Sequence, residues 1–280
     1  MRKRPWGWTG TAVPLLGQGT WKVEHDDAAS ALAALQAGLA AGMTHIDTAE
    51  LYGSGSVEQL VGRAIAGRRR EVFLVSKVHP SNASREGTIR ACERSLTRLG
   101  TDHLDCYLLH WPGDHPLEDT IAAFEQLVQA GKIRSWGVSN FDVEDLEEAL
   151  AIAKPKQIAC NQVLYHLRAR DIEARVIPWC IRQEVAVVGY SPFGSGEFPS
   201  PQSKGGKVLG EIARAHGTTE HQISLAFLVR DSHVFAIPKS ARAERARENA
   251  AAADLRLTEA ELQAIDSAFP VRTGRGLPVI

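Results

Sequence analysis

Four side chains suited to proton transfer stand at or just beyond the ends of short apolar runs: Asp47, Tyr52, Lys77 and His110. A neutral phenol hydroxyl can donate a proton to an alkoxide as it forms, which hydride delivery to a carbonyl carbon requires. Tyrosine ordinarily titrates at about 10, so an acid working near neutrality gains from a neighbouring cation that favours the phenolate. Lys77 would be that cation, and Asp47 would hold and partly neutralise it. His110 could donate a hydrogen bond that fixes the carbonyl oxygen. Singly, each has a plainer reading: an Asp–Lys pair is usually a salt bridge, and a strand-end tyrosine a packed ring with a satisfied hydroxyl. Placement lifts the set above that reading. Asp47 closes one apolar run and Tyr52 follows in the next loop, while Lys77 and His110 end the following two runs. Ser139-Asn140, Gln162, Tyr190-Ser191-Pro192 and Lys239-Ser240 end four more.

The runs are residues 16–21, 45–49, 72–78, 104–110, 133–140, 157–163, 185–191 and 234–240, eight candidate strands in all. Between them lie amphipathic segments. Ile89, Cys92, Leu96 and Leu99 share one face of 84–99; Leu117, Ile121, Phe124 and Val128 share one of 117–130; Val143, Leu146, Leu150 and Ala153 share one of 143–153. Asp142 is a plausible N-cap, and Gly100 and Gly131 follow helix ends. Alternating strands and helices predict a parallel sheet covered by helices, and eight such units favour a closed (β/α)₈ barrel spanning residues 1–280 as one domain. Residues 6–16 leave room for a hairpin closing the barrel bottom. An eighth helix is expected at about 241–252 and one more at 258–269, near the C-terminus. Barrel active sites form at the C-terminal rim of the strands, so the reactive residues would ring one mouth.

Composition narrows the function classes. The 280 residues are 44% hydrophobic, and 32 Lys+Arg against 33 Asp+Glu leave a formal charge of −1, which removes the electrostatic case for a nucleic-acid or acidic-membrane binder. No run of about 18 apolar residues could span a bilayer. The basic start, 1–6, has no apolar stretch behind it, so no signal peptide is expected. Cys92, Cys106, Cys160 and Cys180 lie singly and read as buried free thiols, which suggests the cytoplasm.

Asp47-Thr48-Ala49-x-x-Tyr52-Gly53, Lys77, Leu109-His110-Trp111-Pro112, Gly137-Val138-Ser139-Asn140-Phe141 and Ile237-Pro238-Lys239-Ser240 together resemble the aldo-keto reductases. The likeness runs in order from Gly17-Gln18-Gly19-Thr20-Trp21 to Glu248-Asn249. It implies reduction of aldehydes and ketones by hydride from NADPH, with Asp47, Tyr52, Lys77 and His110 as the catalytic tetrad. A glutamate at the position of His110 would instead resemble the family's double-bond reductases. The resemblance assigns Ser139, Asn140 and Gln162 to the nicotinamide amide and Tyr190 to stacking on its ring. Ser191, Pro192, Phe193 and Gly194 would lead into a pyrophosphate-covering loop at 194–207. Lys239, Ser240, Arg245, Glu248 and Asn249 would take the adenosine end, with Lys239 and Arg245 suited to a 2′-phosphate. Gly19, Thr20, Trp21 and Asp47 complete the expected cofactor contacts. NADH is possible but less favoured. Trp21, Tyr52, His79, His110 and Trp111 are the expected substrate pocket, and a shallow one, because only a short tail follows Phe269.

Rival readings attach to several residues. Gly53-Ser54-Gly55-Ser56-Val57-Glu58 imitates a dinucleotide fingerprint but ends on glutamate and lacks the strand–turn–helix context, so it reads as loop around Tyr52. Arg242 and Arg247 fit a solvated face paired with Glu244 and Glu248. His25, His45, His103, His115, His166, His216, His221 and His233 are expected at the surface or in caps, and Trp6, Trp8, Trp136 and Trp179 in packing. A nucleotide-binding regulatory subunit with little turnover is the alternative on the same fold. A metal-dependent hydrolase is not expected, because no strand ends in H-x-H or H-x-x-x-H beside carboxylates. The expected partners are small carbonyl substrates, with no nucleic acid and no membrane, acting on a monomer.

Overall fold

Strand segments rich in Val, Ile and Leu, each too short to cover its own faces, pair side by side in parallel. The computed structural model describes residues 1–272 and 277–279. Its barrel strands are β3 (Gln18–Gly19), β4 (His45–Asp47), β5 (Phe73–Val78), β6 (Leu104–Leu109), β7 (Ile133–Ser139), β8 (Ile158–Leu164), β9 (Ala186–Tyr190) and β10 (Val234–Ile237). They pair in chain order. Bridges from Leu16 to Ala236 and from Gly19 to Lys239 join the first strand to the last and close the barrel. The expected (β/α)₈ barrel is therefore the observed one, with each strand trimmed by up to three residues at an end. Gln162 lies two residues inside the end of β8 rather than at it, because the ladder to β9 continues to Leu164.

Alternation along β5 sorts its side chains. Val75 faces the barrel interior with Cys106, Leu108, Cys160 and Val188, while Leu74 and Val78 face the helix layer. Lys77, two residues beyond Val75, shares the inner face. The helices are α1 (Ala28–Ala40), α2 (Ser56–Ile65), α3 (Arg85–Leu99), α4 (Leu117–Gln129), α5 (Val143–Ala153), α6 (Val176–Arg182), α7 (Lys204–His216), α8 (Glu220–Leu228), α9 (Ala243–Ala251) and α10 (Glu259–Ala268). Asp142 caps α5 in a reciprocal capping box with Asp145, and Gly100 and Gly131 take the expected left-handed conformation after α3 and α4. The eighth and final helices form where expected. Between β9 and β10 the chain builds two helices, and Thr219-x-x-Gln222, a capping box at the start of α8, is the signal that marks the second.

The hairpin begins earlier than residues 6–16: β1 (Lys3–Pro5) pairs antiparallel with β2 (Ala12–Pro14). The reason is Trp6, which must lie inside the turn to plug the barrel. Its ring packs 4.8 Å from Phe73, 5.1 Å from Phe235 and 5.2 Å from His45. Gly7 follows at φ 50°, where a Cβ would lie 2.5 Å from the Ala159 carbonyl oxygen. His45 is thus a fully buried core residue, not a surface one. His166 is also buried, though its Nδ1 accepts from the Arg168 N–H. All four cysteines are buried and free, with Cys106 Sγ 4.0 Å from Cys160 Sγ inside the barrel. Among the described residues no helix is long and apolar enough to cross a membrane. Part of the short tail, 273–276 and 280, lies outside the described residues.

Candidate active site

Lys77 is wholly buried and would be intolerable there without partners. Its Nζ donates to Asp47 Oδ1 at 2.5 Å, to the Thr48 carbonyl at 2.9 Å and to Tyr52 Oη at 3.3 Å. Three donors meet three acceptors, and the ammonium is satisfied. Adjacent strands fix Asp47 against Lys77, since Asp47 ends β4 and its register partner Val75 lies two residues before Lys77 on β5. Gln162 Nε2 donates to the second Asp47 oxygen at 2.7 Å, and Thr20 Oγ1 holds the Asp47 carbonyl at 2.8 Å. Tyr52 opens a tight turn, Tyr52–Gly55, in which Gly53 and Ser54 adopt φ of 53° and 52°. The turn lays the phenol edge-on to His110, ring centroids 5.6 Å apart.

The electrostatics follow from burial. Burial raises the Tyr52 hydroxyl above its ordinary value and outweighs the pull of Lys77 in the other direction. Lys77 favours the phenolate, as the sequence suggests, but burial is the larger effect, so Tyr52 stays a neutral acid with Lys77 moderating the cost of ionising it. Burial opposes the Lys77 ammonium, but Asp47 and Tyr52 more than offset it, and its pKa rises. Burial also raises Asp47, against the pull of Lys77 and Gln162. Burial first, then Lys77 and His79, push His110 down to about 2, so its ring is neutral.

A cleft of about 260 Å³ opens above this group. Its lining includes the rings of Trp21, Tyr52, His110 and Trp111 with Leu51, the polar groups of Ser139, Asn140, Gln162, Tyr190 and Ser191, and Gly19, Thr20, Asp47, Ile237 and Lys239. Part of this lining is a connected polar surface. Ser139 Oγ donates to the Gln162 carbonyl at 2.8 Å, Asn140 Nδ2 to the His110 carbonyl at 3.1 Å, and Tyr190 Oη to Asn140 Oδ1 at 2.9 Å. Asn140 and Ser191 hold this surface at positive φ, 61° and 49°. Leu51 and Ile237 were not anticipated. Leu51, 46% exposed beside Tyr52, carries the clearer signal, an apolar side chain left in a solvent-facing loop.

Other anticipated residues stand away from the cleft. His79 does not line it: its Nδ1 accepts from the Ser81 N–H at 3.2 Å, which turns the ring onto its own turn and behind Trp111, 4.9 Å away. Phe193 packs on Phe198 and His221, with Pro192 and Gly194 beside it. The expected 194–207 loop is shorter, because Ser203 caps α7 and the helix starts at Lys204. Ser240 Oγ accepts from the Arg242 N–H, Asn249 is buried, and Arg245 bonds Glu248 at 2.6 Å. Among the described residues no group of three histidines, cysteines or carboxylates could hold a metal. The donor set suits a dinucleotide: amide and hydroxyl groups with an aromatic ring, the Lys239 cation in the same lining, and a buried His110 Nδ1 with no partner among the described residues.

Comparison with known proteins bears on the same residues. The sequence model of the Aldo/keto reductase family matches residues 15–269. Methylglyoxal reductase YeaE of Escherichia coli (strain K12) is 45% identical over 267 residues, 94% of either chain. Glyoxal reductase of Bacillus subtilis (strain 168) is 37% identical over 261 residues, covering 92% of this chain and 90% of its own. The solved structure of an aldo-keto reductase from Klebsiella pneumoniae in complex with NADPH superposes with a TM-score of 0.93, at 44% identity and over 100% of both chains.

Proposed function

The chain belongs to the aldo/keto reductase family, and we propose that it reduces aldehydes and ketones to alcohols with NADPH, Tyr52 acting as the general acid. NADPH, when bound, supplies the hydride. Ser139, Asn140, Gln162 and Tyr190 would hold its nicotinamide end, and Lys239 with Arg245 its 2′-phosphate. The observation that carries the reading is Lys77 Nζ set between the Asp47 carboxylate and the Tyr52 oxygen. Because that oxygen accepts from Lys77, the phenol proton is left to point elsewhere, toward a carbonyl oxygen in the cleft. As negative charge grows on that oxygen, Tyr52 gives up its proton and the nearby ammonium stabilises the phenolate left behind. Asp47 keeps Lys77 in place. His110, neutral, orients the carbonyl oxygen without competing as an acid.

Trp21, Leu51 and Trp111 give the cleft an apolar lining beside the reacting groups, which suits small carbonyls. Small α-oxoaldehydes such as methylglyoxal and glyoxal are the substrates we favour, a choice supported by what the two curated relatives reduce. The protein acts as a cytoplasmic, single-domain monomer, the cytoplasmic reading being supported by four free thiols. Tyr52→Phe tests the mechanism. It removes one hydroxyl, and turnover of methylglyoxal at saturating NADPH should fall by the roughly 10²–10⁴-fold that general acid catalysis contributes. NADPH affinity, titrated by tryptophan fluorescence, should stay within a few-fold. Turnover that survives the change would sink the assignment, and nucleotide binding by wild type without turnover on any aldehyde would return the regulatory-subunit reading.

A further inference from the structure

We propose that Asp26 sets how strongly this chain prefers NADPH over NADH, by competing with the nucleotide's 2′-phosphate for Lys239. The inference rests on the proposed reading that Lys239 meets that phosphate. Lys239 follows β10, is bridged to Gly19 and lines the cleft. Its Nζ is ion-paired with Asp26 Oδ2, and both side chains are about one-third exposed (32% and 28%). Asp26 leaves the short helical turn Val23–His25 that follows β3.

The neighbouring carboxylate shows what Asp26 is not doing. Asp27 caps α1 by accepting the Ser30 N–H at 2.8 Å. Asp26 Oδ2 accepts no hydrogen bond of this kind from the described residues and is instead ion-paired with the Lys239 ammonium. The second cation of the adenosine end is also engaged, Arg245 with Glu248 at 2.6 Å. Both cations assigned to the 2′-phosphate are thus already paired with carboxylates, with which the phosphate would have to compete. A phosphate bearing about two negative charges, drawn to Lys239, would come to rest one ion-pair length from the Asp26 carboxylate. A 2′-hydroxyl carries no charge to repel and can itself donate to a carboxylate, the role an acidic residue plays toward NAD in dinucleotide folds. Asp26 therefore penalises NADPH selectively.

The test is a titration of NADPH and NADH by tryptophan fluorescence for wild type, Asp26→Asn, Asp26→Glu and Lys239→Met. Asp26→Asn should raise the ratio of NADPH to NADH affinity roughly tenfold at low salt. The gain should shrink at about 1 M salt, where the screening length is about 3 Å. Asp26→Glu, which keeps the charge, should leave the ratio near that of wild type, and Lys239→Met should lower it. A ratio unchanged in Asp26→Asn overturns the proposal, and a fall would show instead that Asp26 braces Lys239 for the phosphate. If Lys239→Met leaves the ratio unchanged, Lys239 does not meet the 2′-phosphate and the inference fails, while aldehyde turnover by wild type remains the separate test of the reductase reading.

Discussion

Lys77 and His110 illustrate opposite ways of living without water. Lys77 keeps its charge because each of its three protons finds an oxygen, whereas His110 loses its charge because burial and Lys77 both disfavour the imidazolium. That division gives the site one cation and one neutral donor around a neutral phenol. Were His110 protonated, it would compete with Tyr52 as the acid. His110→Ala removes the donor that orients the carbonyl oxygen, and an unmade hydrogen bond in a buried site costs about 1–3 kcal/mol. Turnover of methylglyoxal should therefore fall about 10- to 100-fold, while NADPH affinity changes much less. Steady-state kinetics beside a fluorescence titration checks it, and a collapse of NADPH affinity would move His110 to the cofactor side.

At the scale of elements, the cleft wall depends on how closely β7 and β8 approach. Their register shifts between Trp136 and Val138, at Gly137, where a Cβ would lie 2.4 Å from the Cys160 carbonyl oxygen and 2.9 Å from its Sγ. Only hydrogen fits there. Beyond this point Ser139 and Gln162 meet, and Gln162 reaches Asp47. Gly137→Ala should push the strands apart and cost the 1–3 kcal/mol typical of overpacking. Because the displaced strands carry Ser139 and Gln162, NADPH affinity should fall together with stability, measured by urea unfolding and fluorescence titration. Stability lost with affinity intact would show that the wall does not depend on this contact.

Across the whole molecule, two buried histidines make folding sensitive to acid. His45, beneath the barrel beside Trp6, is pushed by burial and then by Lys77 down to about 3, and His110 to about 2, from an ordinary 6.5. A group whose pKa is lower folded than unfolded takes up its proton on unfolding, so its contribution is complete above pH 6.5 and is lost as pH falls toward those values. Each histidine should cost roughly 2 kcal/mol of stability between pH 7 and pH 5. Urea unfolding at the two values would measure the sum, and His45→Gln, with no group titrating in that range, should remove about half of it. An unchanged acid limb would place the proton uptake elsewhere.

The residues at strand ends were legible in the sequence because strand and helix periods are local properties. Period-two and period-3.6 patterns locate the elements, and a parallel barrel presents the C-terminal ends of all its strands at one rim, so the order Asp47, Tyr52, Lys77, His110 already implies a shared site. The same locality explains why Asp142, Gly100 and Gly131 could be assigned to helix ends. What the chain folds into decided the rest. Whether Lys77 or burial dominates Tyr52 depends on solvent exclusion by several elements at once, and burial prevails. His45 became core because the hairpin brings Trp6 over it, 39 positions away in sequence but in ring contact in space, and His79 left the cleft because its own turn captures its nitrogen. The pairing of Lys239 with Asp26 has no local signature at all: these residues meet only because the first and last strands close the barrel, which brings into contact groups that no short-range pattern relates.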